Sequence, residues 1–238
     1  MIWSKLNWLI ILLLSVVTSL SNGERPCWKK MVQDGMVCVC NGSYCDSYDP
    51  VDKVDHGKVV LIQSSNAGDR LSKKTITINS KPSNKIVLTF DDKQKYQKIT
   101  GFGGAFTDSA TFIINNVSAK LRMKIMNSYY AQDGNAYSMG RVPIASTDFS
   151  SSPYTYDDNN DKPDFDLKHF SLFPEDLRYK IPTIKLANKI AKKPIKLVAT
   201  PWTAPSWMKT NNKLIGKGSL KGQPGDRYHQ SWANYFIK

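Results

Sequence analysis

The chain has 238 residues, room for one ordinary domain or parts of two. At 41% hydrophobic and 11% aromatic it can bury a core, which excludes global disorder. A formal charge of +13 admits nucleic acid, an anionic membrane or an acidic ligand. The basic residues are scattered, however, with only pairs such as Lys29-Lys30, Lys73-Lys74 and Lys192-Lys193. No basic helix, zinc-finger spacing or RNP-like motif accompanies them, so no nucleic-acid partner is expected.

Met1 to Asn7 carry one lysine, Trp8 to Val17 are apolar apart from Ser15, and small polar residues follow to Gly23. This is the pattern of a secretory signal peptide over 1–23, too short to span a bilayer, where about 20 apolar residues are needed. A lumenal or secreted mature protein is expected. Cys27, Cys38, Cys40 and Cys45 cluster just after it, in a segment assigned to 24–50. A Cys38–Cys40 ring would be strained, and the expected pairing is Cys27–Cys38 with Cys40–Cys45. Zinc is disfavoured by the compartment and by the lack of a CxxC pair. Asn41-Gly42-Ser43 and Asn116-Val117-Ser118 are glycosylation sequons, which makes Asn41 and Asn116 candidates.

After an Asp-rich linker come three β-like runs within 51–95: Lys58–Gln63, Lys74–Asn79 and Lys85–Phe90. Turn signals separate them as in antiparallel hairpins. From Tyr96 to Lys238 strands alternate with helices. Strands are expected at Lys98–Gly103, Asn135–Pro143 and Ile195–Ala199. The first helix should be capped by Ser118 and bury Leu121, Ile125, Met126 and Tyr129 on one face. The second opens at Pro174-Glu175-Asp176, buries Leu177, Ile181, Ile184, Ala187 and Ala191, and must be kinked or broken by Pro182. The third spans Asp226–Phe236. Alternation of this kind implies a parallel sheet, either a small doubly wound one or the first three βα units of a (β/α)8 barrel.

Gly101-Phe102-Gly103-Gly104-Ala105-Phe106 fails as a dinucleotide fingerprint. Phe106 stands where Gly or Ala is needed, and Arg141 stands near the end of the next strand in place of an acid. The alternative is a set of glycines for a tight βα turn. No GxSxG elbow exists, and His56, His169 and His229 are far apart, so neither a serine nucleophile nor a metal or other cofactor is expected. Glutamate occurs only at Glu24 and Glu175, neither at the C-terminal end of a barrel strand. Glycoside hydrolysis generally needs two flanking carboxyls. The loops after the strands are nevertheless dressed for sugar. They carry Asp108, then Arg141 and Asp148, then Trp202 and Trp207, whose indoles could stack on a pyranose or simply pack a rigid loop.

Four long segments carry a resemblance: Lys98 to Asp108, Arg141 to Ser150, Ala199 to Lys209 and Gly216 to Trp232. With the cysteine segment Cys38 to Pro50, they are similar in order and spacing to glucosylceramidases of glycoside hydrolase family thirty. The resemblance implies a (β/α)8 barrel with an attached β-sandwich. It further implies retaining hydrolysis of the β-glucosyl bond of glucosylceramide at an anionic lysosomal membrane, with a small saposin-like activator as a possible partner. It places glucose against Asp148 and Trp202, and Arg141 near the nucleophile. It also places the two catalytic glutamates at the ends of the fourth and seventh barrel strands. This chain, with three βα units, is therefore expected to be inactive alone, as part of a longer enzyme. The other reading is a short, secreted, non-catalytic form that binds sugar or lipid.

Overall fold

The computed structural model describes residues 25–33, 35–48, 51, 53–78, 91 and 93–238. The expected signal peptide, Glu24 and the β-like run Lys85–Phe90 lie outside the described residues. The chain divides into two compact units, Met1–Lys98 and Ile99–Lys238.

Among the described residues of the first unit there are two antiparallel hairpins. Strands β1 (Lys29–Val32) and β2 (Gly35–Cys38) pair with Lys29 opposite Cys38. Sequence periodicity gave no hint of this hairpin, because its four-residue strands expose almost every side chain. Disulfides join Cys27 to Cys38 and Cys40 to Cys45, and so staple a segment with little apolar burial of its own. Strands β3 (Lys58–Gln63) and β4 (Ser72–Thr77) form the second hairpin, with Lys58 opposite Thr77. Its turn is closed by Asp69, whose carboxylate accepts from Ser65 Oγ at 2.7 Å and Gln63 Nε2 at 2.9 Å. Strand β4 begins two residues before the expected start, because the register of β3 is completed by the Gln63–Ser72 pair.

The second unit is a parallel sheet in the order β5-β6-β7, formed by Gly103–Ala105, Met139–Ile144 and Lys196–Pro201. A three-strand sequential order is compatible with both sheet types expected above. The glycines of the GFGG segment do not make a turn, and none of them has positive φ. Their role is close approach: a Cβ on Gly103 would sit 1.8 Å from the Met139 carbonyl oxygen. Pro143 is tolerated inside β6. Arg141 C=O accepts from Phe106 N, and strand alternation turns Pro143 to the same side, where β5 has already ended.

Helix α1 (Asp108–Asn116) had no periodic signature in the sequence. It is started by Thr107, whose hydroxyl accepts from Ala110 N. Helix α2 (Ala119–Tyr130) is capped by Ser118 as expected, but it buries Met126 and Tyr130 while Tyr129 is 42% exposed. Stacking of Phe106 on Tyr130 at 5.9 Å fixes that rotation. Burial of its ring, and then the neighbouring Tyr137 and Tyr129, pushes the Tyr130 hydroxyl up to about 12.

Pro182 breaks the next helix in a specific way. A π-turn at Asp176–Lys180 precedes helix α3 (Ile181–Ile190), and Ile181 N donates to Asp176 O, five residues back. The wider turn rotates the preceding side chains. Leu177 is consequently 57% exposed, while Asp176 and Lys180 turn inward. Helix α4 (Arg227–Tyr235) is capped by Asp226, which accepts from the N–H groups of Tyr228 and His229.

Two clusters make the core of this unit. One is Phe106, Met126, Tyr130, Ala187 and Ile195, between sheet and helices. The other is aromatic and lies under the long β6–α3 connection: Tyr154, Tyr156, Leu167, Trp207, Met208 and Tyr235. Among the described residues no helix is long and apolar enough to cross a membrane.

Candidate active-site cleft

Parallel strands leave the first turn of each following loop at one end of the sheet, which is where α/β enzymes bind ligands. At that end the loops after β6 and β7 enclose a cleft of about 670 Å³, lined by Ser146, Thr147, Asp148, Trp202, Lys209 and Trp232 among others. Asp148 is exposed and Trp202 is 55% exposed. The fold thus brings together the two residues singled out for sugar contact. Arg141 lies behind them. Its guanidinium sits 4.9 Å from the Trp202 ring centroid, a cation–π arrangement, and Nε donates to Thr200 Oγ1 at 2.7 Å. Arg141 reaches both because Thr200 lies two residues beyond its β7 register partner Val198, on the same sheet face.

The loop carrying Asp148 is pinned at its root. Ala145, 2% exposed, holds φ 64, a conformation that costs a non-glycine residue about 1–2 kcal/mol. The adjacent Ser146 maintains it: its hydroxyl donates to Tyr154 O at 2.6 Å and accepts from Tyr154 N at 2.8 Å, and its own N–H reaches Tyr154 O at 3.2 Å.

Asp108 and Trp207 do not face the cleft, contrary to expectation. Trp207 is 1% exposed and donates Nε1 to Asp157 O at 2.9 Å. Of the two tryptophans, one lines the cleft and the other packs the core. Asp108 is 5% exposed and belongs to a buried polar network. Lys180, 1% exposed, pairs with Asp108 at 3.1 Å and Asp176 at 2.6 Å. Ser150 and Tyr154 donate to Asp108 at 2.5 and 2.9 Å, and Tyr156 donates to Asp176 at 2.7 Å. Burial, followed for Tyr154 by the charge of Asp176 and for Tyr156 by its bond to Asp176, drives both phenols far above their usual range. This network ties the Asp148 loop to the starts of α1 and α3.

Lys209 was not singled out from sequence. It is 8% exposed, lines the cleft, and donates to Thr203 Oγ1 at 3.0 Å and Leu214 O at 2.9 Å. Burial pulls its ammonium below the usual range. No sequence signal distinguishes it from the other lysines. Glu175 is absent from the cleft lining. Asn116 ends α1, exposed, with Nδ2 on Phe112 O, whereas Asn41 uses Oδ1 to accept from Ser43 and Tyr44.

The β6–α3 loop brings one of the three histidines, His169, together with two carboxylates. Ligand atoms of Asp157, Asp164 and His169 lie within 4.8 Å of each other. Asp164 accepts from the backbone N–H of His169 at 2.7 Å and lies 2.8 Å from its Nδ1. Burial, and next the charge of Asp164, pushes the Asp157 carboxyl up to about 6.

Comparison with known proteins agrees with this architecture. The Glycosyl hydrolase family 30 TIM-barrel domain matches residues 99–238. The chain is 44% identical over 218 residues to the lysosomal acid glucosylceramidase of Mus musculus, covering 91% of this chain and 42% of that protein. It is 41% identical to putative glucosylceramidase 4 of Caenorhabditis elegans, covering 90% and 41%. It is 33% identical over 155 residues to an endo-1,6-beta-D-glucanase of Neurospora crassa, covering 63% and 32%. Among solved structures, SrfJ from Salmonella typhimurium superposes with TM-score 0.56 at 28% identity, over 76% of this chain and 40% of that one. The endo-beta1,6-glucanase BT3312 gives 0.54 at 27%, over 71% and 36%. The chain therefore spans less than half the length of these relatives. With a parallel sheet, its cleft at the strand ends and a family match over the whole second unit, the chain belongs to the family 30 TIM-barrel glycosyl hydrolases.

Proposed function

We propose that this chain is the substrate-facing part of a glucosylceramidase, a retaining β-glucosidase that releases glucose and ceramide from glucosylceramide. The observation that carries this reading is the pairing of Asp148 and Trp202 across one cleft, with Arg141 stacked behind the indole. Trp202 offers a hydrophobic plane for one pyranose face, and Asp148 accepts from paired hydroxyls. Arg141 provides a fixed positive charge that would hold a nearby carboxylate ionised as nucleophile. Lys209 supports the loop that carries Trp202 through its bond to Thr203.

The two glutamates of the retaining mechanism, an acid/base and a nucleophile, have no counterpart within residues 1–238. Glutamate is present only at Glu24 and Glu175, and without an acid and a nucleophile the glycosidic bond gains neither protonation nor a covalent intermediate. The 238-residue chain alone is accordingly inactive, and activity belongs to a longer polypeptide. In that polypeptide residues 51–95 contribute strands to a β-sandwich, and the barrel begins near residue 96. The disulfides and the 1–23 leader fit passage through the secretory pathway to the lysosome, where glucosylceramide is met in an anionic membrane with a saposin-like activator. Asn41 and Asn116 are the glycosylation candidates on that route.

The test is to sequence the 3′ end of the messenger and assay the encoded protein. A reading frame continuing into an Asn-Glu-Pro word, whose product cleaves glucosylceramide but not β-1,6-glucan, supports the proposal. Turnover of β-1,6-glucan alone would overturn the substrate assignment. A stop directly after Lys238 in the mature messenger would instead identify a short, non-catalytic binding form.

A further inference from the structure

The β6–α3 connection contains a cluster that glycoside hydrolysis does not use. Asp157 is 1% exposed, and neither of its carboxylate oxygens has a hydrogen-bond partner. A buried carboxylate in that state is costly and calls for a counter-charge or a proton. Among the described residues neither Asp157 nor Asp164 forms an ion pair with a lysine or arginine, since the nearby Lys168 pairs with Asp166. The nitrogen ligand at hand is His169, whose Nδ1 already contacts Asp164. We propose that Asp157, Asp164 and His169 bind a divalent cation of the zinc class, which fastens the β6–α3 loop.

The donor set argues for the metal class. Calcium and magnesium take oxygen ligands, whereas two carboxylates with one imidazole suit zinc and its neighbours. Zinc–ligand distances of about 2 Å in tetrahedral geometry put donor atoms about 3.3 Å apart. The three donor atoms lie within 4.8 Å of one another, so binding requires a contraction of up to about 1.5 Å. His169 can move to achieve it, since its side chain is 63% exposed. The two aspartates are held by the fold: Asp157 C=O accepts from Trp207 Nε1, and Asp164 is 7% exposed. A turn with positive φ at Asn159, Asn160 and Asp161 brings the chain back between them. Because Trp207 belongs to the segment that follows β7, the cation would couple the two loops that form the cleft, without entering it.

The experiment uses the full chain, stripped with a chelator and then titrated with Zn²⁺. Bound metal is measured by equilibrium dialysis and thermal stability by circular dichroism. The expected result is one tightly bound equivalent and a raised Tm. Asp157→Asn should lose that equivalent, and His169→Ala should weaken binding at least tenfold. His229→Ala, which changes a histidine paired with Asp226 elsewhere, should bind as the parent does. His169→Ala alters an exposed side chain, so the test survives if Asp157→Asn fails to fold. No zinc binding by the parent, or parent-like binding by both Asp157→Asn and His169→Ala, overturns the proposal. In the absence of parent binding, an Asp157→Asn chain more stable than the parent identifies a proton shared between the two carboxyls as the occupant.

Discussion

Lys180 sits between two carboxylates with 1% of its side chain exposed, and its worth follows from what its removal leaves behind. Lys180→Met strands Asp108 and Asp176 as buried charges without a cation. The expected loss is about 3–5 kcal/mol of unfolding free energy, measured by urea titration. Adding Asp108→Asn and Asp176→Asn to the same chain should recover much of it, since the desolvated charges disappear together. A simple packing role for Lys180 predicts no recovery. At the edge of the cleft, Ser146→Ala removes the hydroxyl that both donates to and accepts from Tyr154. It leaves a buried N–H and C=O less satisfied, for a loss of about 1–3 kcal/mol by the same measurement. Sequence inspection picked out Asp148, Trp202 and Arg141 and the structure groups them, but it could not separate Trp202 from Trp207. Both lie within two residues of a proline, and it is packing against Phe165 and Tyr228 that removes Trp207 from solvent.

The helices show which local signals survive at the scale of an element. Ser118 and Asp226 were readable as starts because a side-chain acceptor before an apolar period is a local feature. Ser118→Ala should cost about 1 kcal/mol, as read by chemical denaturation. Asp226 carries a pH dependence. Burial acts to raise its pKa, but the backbone N–H groups of His229, Gln223 and Tyr228, together with the His229 ring, hold it down to about 2. Its folded value lies below the unfolded value of about 3.9, so its contribution is complete above pH about 4. That contribution fades as pH falls toward 2. Thermal melts of the parent and Asp226→Ala should therefore differ at pH 5 and converge near pH 2. A difference that persists at pH 2 would refute the charge-based account. Helix α1 is not legible in the sequence because Asp108–Asn116 mixes polar and apolar residues without a clear period, and its start depends on Thr107 alone. The buried face of α2 takes in Tyr130 instead of the expected Tyr129 because the stack on Phe106, distant in sequence, sets the rotation.

For the whole molecule, a charge of +13 in a chain proposed to work on a lipid should appear as salt-sensitive attachment. Binding of the full chain to anionic liposomes should weaken as salt is raised from about 0.05 to 0.5 M, because exposed charges beyond a Debye length are screened. Salt-independent binding would point to apolar insertion. The same preparation should give no turnover of a fluorogenic β-glucoside above a buffer blank, and measurable turnover would remove the claim that both carboxyls lie elsewhere.

The sequence by itself determined the class of the second unit, the cysteine framework, the scarcity of glutamate and the residues on which sugar contact was placed. These depend on local composition, spacing and long matching segments, none of which needs coordinates. Tertiary structure alone decided the partners of the buried charges. It set Lys180 between Asp108 and Asp176, turned Trp207 inward, and made GFGG a point of strand approach. It also gathered Asp157, Asp164 and His169. Each of these outcomes is settled by which distant atoms meet in a low-dielectric interior, where an unpaired charge or a misplaced methyl group costs several kilocalories per mole.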